Sequence, residues 1–313
     1  MKIAKQNRGN LMNITSIEWV QNPDGSQGYT LNSKTGCKNH TSEGLCLGGL
    51  FPCYAYRLAR GRLKKRYLKN NMVVKTGFET LGFKDPFYPR FWPERLKQPY
   101  QNKKPVGIFL DDMSDWMGDY WPEEWTKQEL QMMRENPWHR FYTLTKQPQN
   151  LIKFSPFPDN CWVGITATND IMFRIASNYL AKVKAKVKYY SFEPLLHWDF
   201  KANWDRNNIC LIDRFRDVNW IIIGACTGLN KDIELLSAKY PDLWEKILYN
   251  NKRALFPKVE WVEELVEAAD KAGIPVFLKD NLELLFEPYF EGGYPWAYRR
   301  GSLRQEMPDA NKN

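Results

Sequence analysis

A chain of 313 residues, 43% of them hydrophobic, can bury a large core without covalent staples, and one principal domain over residues 1–290 is the default. Its formal charge of +9 favours an anionic partner, and no apolar run approaches the roughly 20 residues that span a bilayer. Six cysteines in a chain of this size with no secretory leader read as free thiols in a cytoplasmic protein, which argues against a disulfide framework.

Tyr29-Thr30-Leu31 reads as the first strand. Cys37, Cys46 and Cys53 follow within seventeen residues, and the last of them opens a helix at Tyr54-Ala55. Three thiolates can fill three corners of a cubane cluster and leave the fourth iron open. A structural zinc would ask for a fourth ligand, which His40 could supply. The spacings, eight residues and then six, match neither a zinc ribbon nor a ferredoxin, so spacing alone leaves a metal site and three plain loop cysteines both open. Position favours the metal, because free N–H groups at a helix start favour thiolate and cluster charge.

Arg57, Arg60, Arg62, Lys64, Lys65, Arg66 and Lys69 crowd the next segment, and Lys182, Lys184, Lys186 and Lys188 form a second run. Solvated helix faces and a surface for nucleic acid or a phosphorylated small molecule are the two readings. Residues 70–105, rich in proline, glycine and aromatics, are either a lid or a packed insertion at the rim.

A regular rhythm then sets in. Val106-Gly107-Ile108-Phe109-Leu110 precedes a helix over 123–134. Arg140-Phe141-Tyr142-Thr143-Leu144 precedes a short helix near Gln149, and Cys161-Trp162-Val163-Gly164-Ile165 one over 171–181. Residues 186–190 and Trp220-Ile221-Ile222-Ile223 are further strands, 259–272 is a strong helix, and Pro275-Val276-Phe277-Leu278 is a final strand. The tail 291–313 reads as a polar surface segment.

Nearly continuous apolar strands separated by helices call for a parallel sheet buried on both faces. Polar residues stand just beyond successive strands: Asp111-Asp112, Thr145-Lys146, Thr166, Ser191 and Glu193, Cys226-Thr227, and Lys279-Asp280. A TIM-like (β/α) barrel, complete or partial, gathers all those ends into one site, whereas an open flat sheet would scatter them. The expected fold is therefore α/β and barrel-like, with the cysteine-rich loop over its mouth.

Each candidate also has a structural reading. Asp115 either serves the site or caps a turn, and Lys146 binds an anion or faces solvent at the rim. Glu193 is the strongest noncysteine candidate, as a hydrogen-bond acceptor or proton carrier, against an ion pair with a barrel lysine such as Lys279. Lys279 can also meet an anionic substrate. Thr168 and Asn169 offer neutral hydrogen bonds or cap the following helix. Cys226 is a strand-end thiol, while Cys161, at a strand start, reads as core.

Thr35-Gly36-Cys37, Cys53-Tyr54-Ala55, Met113-Ser114-Asp115, Leu144-Thr145-Lys146-Gln147-Pro148, Trp162-Val163-Gly164-Ile165-Thr166, Ser191-Phe192-Glu193-Pro194-Leu195-Leu196, Trp220-Ile221-Ile222-Ile223-Gly224 with Gly228, and Gly273-Ile274-Pro275-Val276-Phe277-Leu278-Lys279 occur in that order. In these segments the sequence resembles the phage-protein family known as DUF5131 or Gp37/Gp68, itself similar to radical S-adenosylmethionine (SAM) enzymes.

The resemblance implies a 4Fe-4S cluster on Cys37, Cys46 and Cys53 whose open iron takes the amino and carboxylate groups of SAM. Reductive cleavage of the sulfonium would then draw on a donor such as ferredoxin or flavodoxin. With SAM at that iron, Tyr54, Asp111, Asp112, Ser114, Asp115, Thr145, Lys146, Thr166, Thr168, Asn169 and Glu193 are by position the candidates to contact it, and Glu193, Cys226 and Lys279, at strand ends, are the candidates for the chemistry. Two departures stand out. The family's last two cysteines are closer together than Cys46 and Cys53, and Cys226 stands in a turn where the family carries glutamate.

The implied activity is modification of an anionic substrate, a nucleotide or nucleic acid among the classes considered. The alternatives are a zinc- or cluster-stabilised nucleic-acid-binding barrel without radical chemistry, and a divalent-metal hydrolase or nuclease using Asp111, Asp112 and Glu193.

Overall fold

The computed structural model describes residues 12–75, 77, 79–200, 210–239, 245–249, 252–286, 293–299 and 301–309. Its centre is one eight-stranded sheet in chain order: β1 (Asn13–Ile14), β2 (Tyr29–Leu31), β3 (Gly107–Leu110), β4 (Arg140–Thr145), β5 (Cys161–Thr166), β6 (Val187–Phe192), β7 (Trp220–Ile223) and β8 (Val276–Leu278). Strand β1 is antiparallel to β2, and every pairing from β2 to β8 is parallel. Parallel neighbours need crossover connections, and the helices that supply them include α1 (Tyr54–Arg60), α2 (Glu123–Glu135), α3 (Asp170–Leu180) and α4 (Val259–Ala272).

Alternation along the strands separates two cores. Ile108, Phe141, Val163, Tyr190 and Ile221 pack outward under the helices, while Phe109, Tyr142, Trp162, Tyr189, Trp220 and Phe277 point inward. The inner group closes on Trp19, whose ring lies 4.9 Å from that of Phe109 on β3 and 6.1 Å from that of Trp220 on β7. Flat strands four steps apart would stand about 19 Å from each other. One indole touches both, so the sheet is curled around it. Gly164 makes room for this packing, since a Cβ there would meet the Tyr189 ring at 2.3 Å.

The expected barrel is present as a curved, mostly parallel sheet, and closure is not seen: β1 and β8 are edges among the described residues. The tail corrects a second expectation. Residues 304–306 are no free polar tail but run along β8, with the Leu278 N–H donating to the Arg304 carbonyl at 2.8 Å and the Glu306 N–H to Val276 at 2.9 Å. The buried Arg304 guanidinium binds both Asp270 oxygens, at 3.0 and 2.6 Å, and Glu306 at 2.8 Å. An edge strand with unpaired backbone groups has recruited the segment that composition marked as surface.

Within 70–105, Phe87, Phe91 and Trp92 are buried, and the Arg90 guanidinium donates to the carbonyls of Tyr88 and Gly82 at 2.7 and 2.6 Å. This is a packed rim insertion beneath the cysteine loop. A small antiparallel sheet of Cys226–Thr227, Lys252–Phe256 and Glu245–Tyr249 stands beyond β7. Among the described residues no helix is long and apolar enough to cross a membrane.

Candidate functional site

The cysteine segment lies over the C-terminal ends of the strands. Gly36 accepts no side chain: its φ is +89°, and a Cβ would fall 2.4 Å from the Phe87 carbonyl. Its N–H donates to Met113, and the Cys37 N–H donates to Phe87 at 3.1 Å, so Cys37 is fixed between the β3 loop and the insertion. Leu45–Cys46 and Phe51–Pro52 form a two-stranded hairpin in which Cys46 faces Phe51, two residues before Cys53. The long Cys46 to Cys53 spacing is therefore folded back on itself. Cys53 caps α1, its sulfur accepting the Tyr56 N–H at 3.5 Å.

The turn of that hairpin rests on the loops beyond β4 and β5. The Thr168 hydroxyl donates to the Gly48 carbonyl at 3.1 Å, and a Cβ at Gly48 or Gly49 would strike Lys146 or Thr168. Burial pushes the Cys37 thiol up to about 12, with nearby Asp115 adding to it, and burial likewise raises Cys53. Burial works against the Lys146 ammonium, yet the charges of Cys46, Asp115, Cys53 and Cys37 raise its pKa. The Lys146 side chain runs past Gly48, and its ammonium lies 5.7 Å from the centre of the Phe51 ring, on the same hairpin as Cys46. Asp115 positions Lys146, accepting the Thr145 hydroxyl at 2.5 Å and the Lys146 N–H at 3.1 Å.

Deeper in the mouth, Glu193 at the end of β6 accepts the Trp19 indole N–H at 3.1 Å and pairs with Lys279 from β8, which also reaches Glu18 at 3.3 Å. Gly224 leaves space for this cluster, since a Cβ would come within 2.9 Å of the Lys279 chain. Ser191, two residues before Glu193 and on the same face, has a buried hydroxyl with no partner among the described residues. Thr166 of β5 is buried beside it in register.

The other expected site residues are placed differently. Asp111 is drawn out of the mouth into a buried network, accepting the Lys34 N–H at 2.8 Å and the Ser33 hydroxyl at 3.2 Å next to the Lys34–Glu129 ion pair at 2.7 Å. Ser114 turns its hydroxyl back to the Asp111 carbonyl at 3.4 Å. Asp112 accepts the Asn32 amide at 2.5 Å, and the partly exposed Tyr54 donates to its carbonyl, tying α1 to the β3 loop. Asn169 caps α3, its side chain accepting the Met172 N–H at 2.8 Å. Cys226 sits in an apolar cluster with Leu196, Ile233 and Leu255, and burial raises its thiol to about 12. His40 bonds the Thr41 carbonyl and packs on Tyr56 and Phe87. Glu18, Trp19 and Tyr120 complete the site, and none carried a sequence signal beyond its residue type.

Asp111 yields a signed expectation. Burial, then the Glu129 charge, holds its carboxyl well above the usual range, with Lys34 opposing. The native state thus keeps a proton that the unfolded chain sheds near pH 4, and the stability this contributes is lost as pH rises through the folded pKa. Asp111→Asn keeps the acceptor for Lys34 and should be more stable than wild type at pH 7 by about 1 kcal/mol, the gap closing below about pH 4. Urea melts at the two pH values check this; a variant less stable at pH 7 would show that the ionised carboxylate is what the site needs.

Among the described residues, no group of three or more His, Cys, Asp or Glu side chains converges on a single metal ion. Asp111, Asp112 and Glu193 are engaged in three separate networks. A cubane spreads its ligands over three irons, so three cysteines on one folded loop, with the Lys146 cation over its hairpin, suit that donor set better than a one-ion site.

Residues 14–234 match a family profile described as protein of unknown function, DUF5131. No curated protein matches the chain. Among solved structures, spore photoproduct lyase complexed with dinucleoside spore photoproduct is similar at TM-score 0.50 and 11% identity, over 87% of this chain and 81% of that one. A cysteine-to-alanine variant of the same enzyme, with the same dinucleoside, gives TM-score 0.52 at 10% identity over 87% and 80%. A double variant with bound AdoMet and dinucleoside spore photoproduct gives 0.50 at 11% over 87% and 79%. At such identities the likeness is one of fold.

Proposed function

We propose, from the premise that this chain belongs to the DUF5131 family, that it is a radical SAM-like enzyme acting on an anionic substrate of nucleotide or nucleic-acid type. The observation that carries the reading is the hairpin that returns Cys46 to Cys53, with the Lys146 ammonium over Phe51 of that same hairpin. The shared fold with a lyase solved with AdoMet and a dinucleoside supports it.

Cys37, Cys46 and Cys53 would hold the 4Fe-4S cluster, which when bound supplies the electron that cleaves the SAM sulfonium. Lys146 offsets thiolate charge, and Asp115 fixes its backbone. Thr166 and Ser191 would offer hydroxyls to SAM, while Thr168 holds the hairpin turn through the Gly48 carbonyl. Glu193, paired with Lys279, would be an acceptor for SAM or substrate hydroxyls. Cys226, buried and protonated, has no part in this assignment. A low-potential ferredoxin or flavodoxin is the donor class such chemistry needs.

Anaerobic iron and sulfide quantitation with EPR of the reduced protein, before and after SAM, tests the reading. A cubane signal altered by SAM is expected. Stoichiometric zinc with no cluster after anaerobic reconstitution would instead favour the metal-stabilised binding protein.

Tyr120 gives a finer expectation. Its hydroxyl is buried without a satisfied partner among the described residues and faces the Cys37 sulfur. A hydrogen bond to a ligating sulfur stabilises the reduced, more negative cluster. Tyr120→Phe should therefore lower the cluster potential by roughly 60 mV, tenfold for one electron. It should also stabilise the metal-free protein by about 1 kcal/mol, because an unsatisfied buried hydroxyl is removed. Redox titration and apo-protein melts read the two effects; an unchanged potential would leave the tyrosine a packing residue.

A further inference from the structure

A second concavity opens beside the cysteine loop, lined by Arg60, Lys64, Lys84, Asp85 and Pro86, with a volume of about 480 Å³. Both of its walls hang from the proposed cluster ligands. Helix α1 runs from Tyr54, directly after Cys53, to Arg60, seven residues and about 10 Å along its axis. On the opposite wall, Asp85-Pro86 leads into Phe87, whose carbonyl accepts the Cys37 N–H and whose ring packs on Tyr56 of α1. The pocket is thus held at a fixed, short distance from the mouth.

Its charge is unbalanced. Arg60 lies 3.5 Å from the Asp85 carboxylate and over the Tyr56 ring, while Lys64 and Lys84 make no ion pair among the described residues. Three cations thus line the pocket against one carboxylate. Arg57, Lys65 and Arg66, exposed on the same segment, carry the positive surface past the rim. A single small anion would not use that extension, whereas successive phosphates of a strand would. The other basic run lies at the far end of the sheet, leading into β6, with Lys188 half-buried and its ammonium donating to the Leu180 carbonyl at 3.3 Å. A base must leave a duplex stack to enter a mouth of this kind, which favours a single strand.

We infer that the Arg60, Lys64 and Lys84 pocket binds a backbone phosphate of single-stranded nucleic acid, placing nucleotides a few positions away at the cysteine-lined mouth. The inference rests on that mouth being the reacting site, but the binding needs no cluster.

Fluorescence anisotropy of the full chain with a labelled mixed-sequence oligonucleotide, over a range of salt, is the test. The Lys64→Ala, Lys84→Ala double variant should bind more weakly. Its log–log salt dependence should be shallower by about 0.7 for each phosphate that the variant no longer neutralises. Lys182→Ala, Lys184→Ala should match wild type, and circular dichroism should be unchanged for both. An unaltered salt slope in the first variant, or competition by a mononucleotide as effective as by the oligonucleotide at equal phosphate concentration, overturns the assignment. If reconstitution yields zinc while binding still depends on Lys64 and Lys84, the radical reading fails and the pocket stands. If the cluster forms and binding ignores both lysines, the pocket fails alone.

Discussion

Cys53→Ala is expected to take iron and sulfide to background after anaerobic reconstitution and to remove any SAM-dependent EPR change, while the protein stays folded. The fold should survive because the Cys53 sulfur makes one long capping hydrogen bond, to the Tyr56 N–H at 3.5 Å, and removing a helix cap costs about 1 kcal/mol. The loss of metal should be complete because two remaining cysteines, one on a hairpin and one beside the insertion, offer only two corners of a cubane. Cys226→Ala and Cys161→Ala are the matched controls. Both thiols are buried, Cys226 in an apolar cluster beyond β7 and Cys161 in the outer core, so each variant should lose some stability and keep full iron. Iron retained by Cys53→Ala, or absent from Cys226→Ala, would move the ligand set.

The alternation that reveals the sheet was plain in the sequence because β3, β5, β7 and β8 are buried on both faces and read as largely apolar runs. The curl was not, since it depends on Trp19, which comes from the segment before β2 and carries no periodic signal. The cysteine spacing was legible, but its closure depended on a hairpin whose turn, Leu47-Gly48-Gly49-Leu50, is shaped by contacts with Thr168 and Lys146 far along the chain. Polar residues after successive strands pointed to the mouth as a whole and could not separate Asp111 from Asp115. Sequence position is shared by all of them, whereas the buried Lys34–Glu129 pair that captures Asp111 is a tertiary fact. The tail illustrates the converse: Arg304 and Glu306 look like surface residues until Asp270 and the edge of β8 are placed beside them.

Lys279→Ala should be the most destabilising single change at the mouth, by about 3 kcal/mol, and should lower the melting temperature by about 6 °C or more. The ammonium stands between Glu18 and Glu193, with side-chain exposures of 12% for the lysine and 25% and 24% for the two glutamates. Removing it leaves two carboxylates facing one another over the Trp19 indole with no cation. Burial alone would depress the Lys279 pKa, but the charges of Glu193 and Glu18 raise it. The stabilisation is therefore fully present below the unfolded lysine value of about 10.4 and is lost only as pH rises through the higher folded value. Wild type and variant should differ by the full amount at pH 7 and converge in strong alkali. Adding Glu193→Gln to Lys279→Ala relieves the carboxylate pair and should recover part of the loss, because the amide can still accept the Trp19 N–H. Thermal melts at neutral and alkaline pH separate this from simple loss of packing, which would be the same at both. A pH-independent deficit with no recovery in the double variant would mean that the aliphatic stem of Lys279 against Gly224, and not its charge, holds the mouth together.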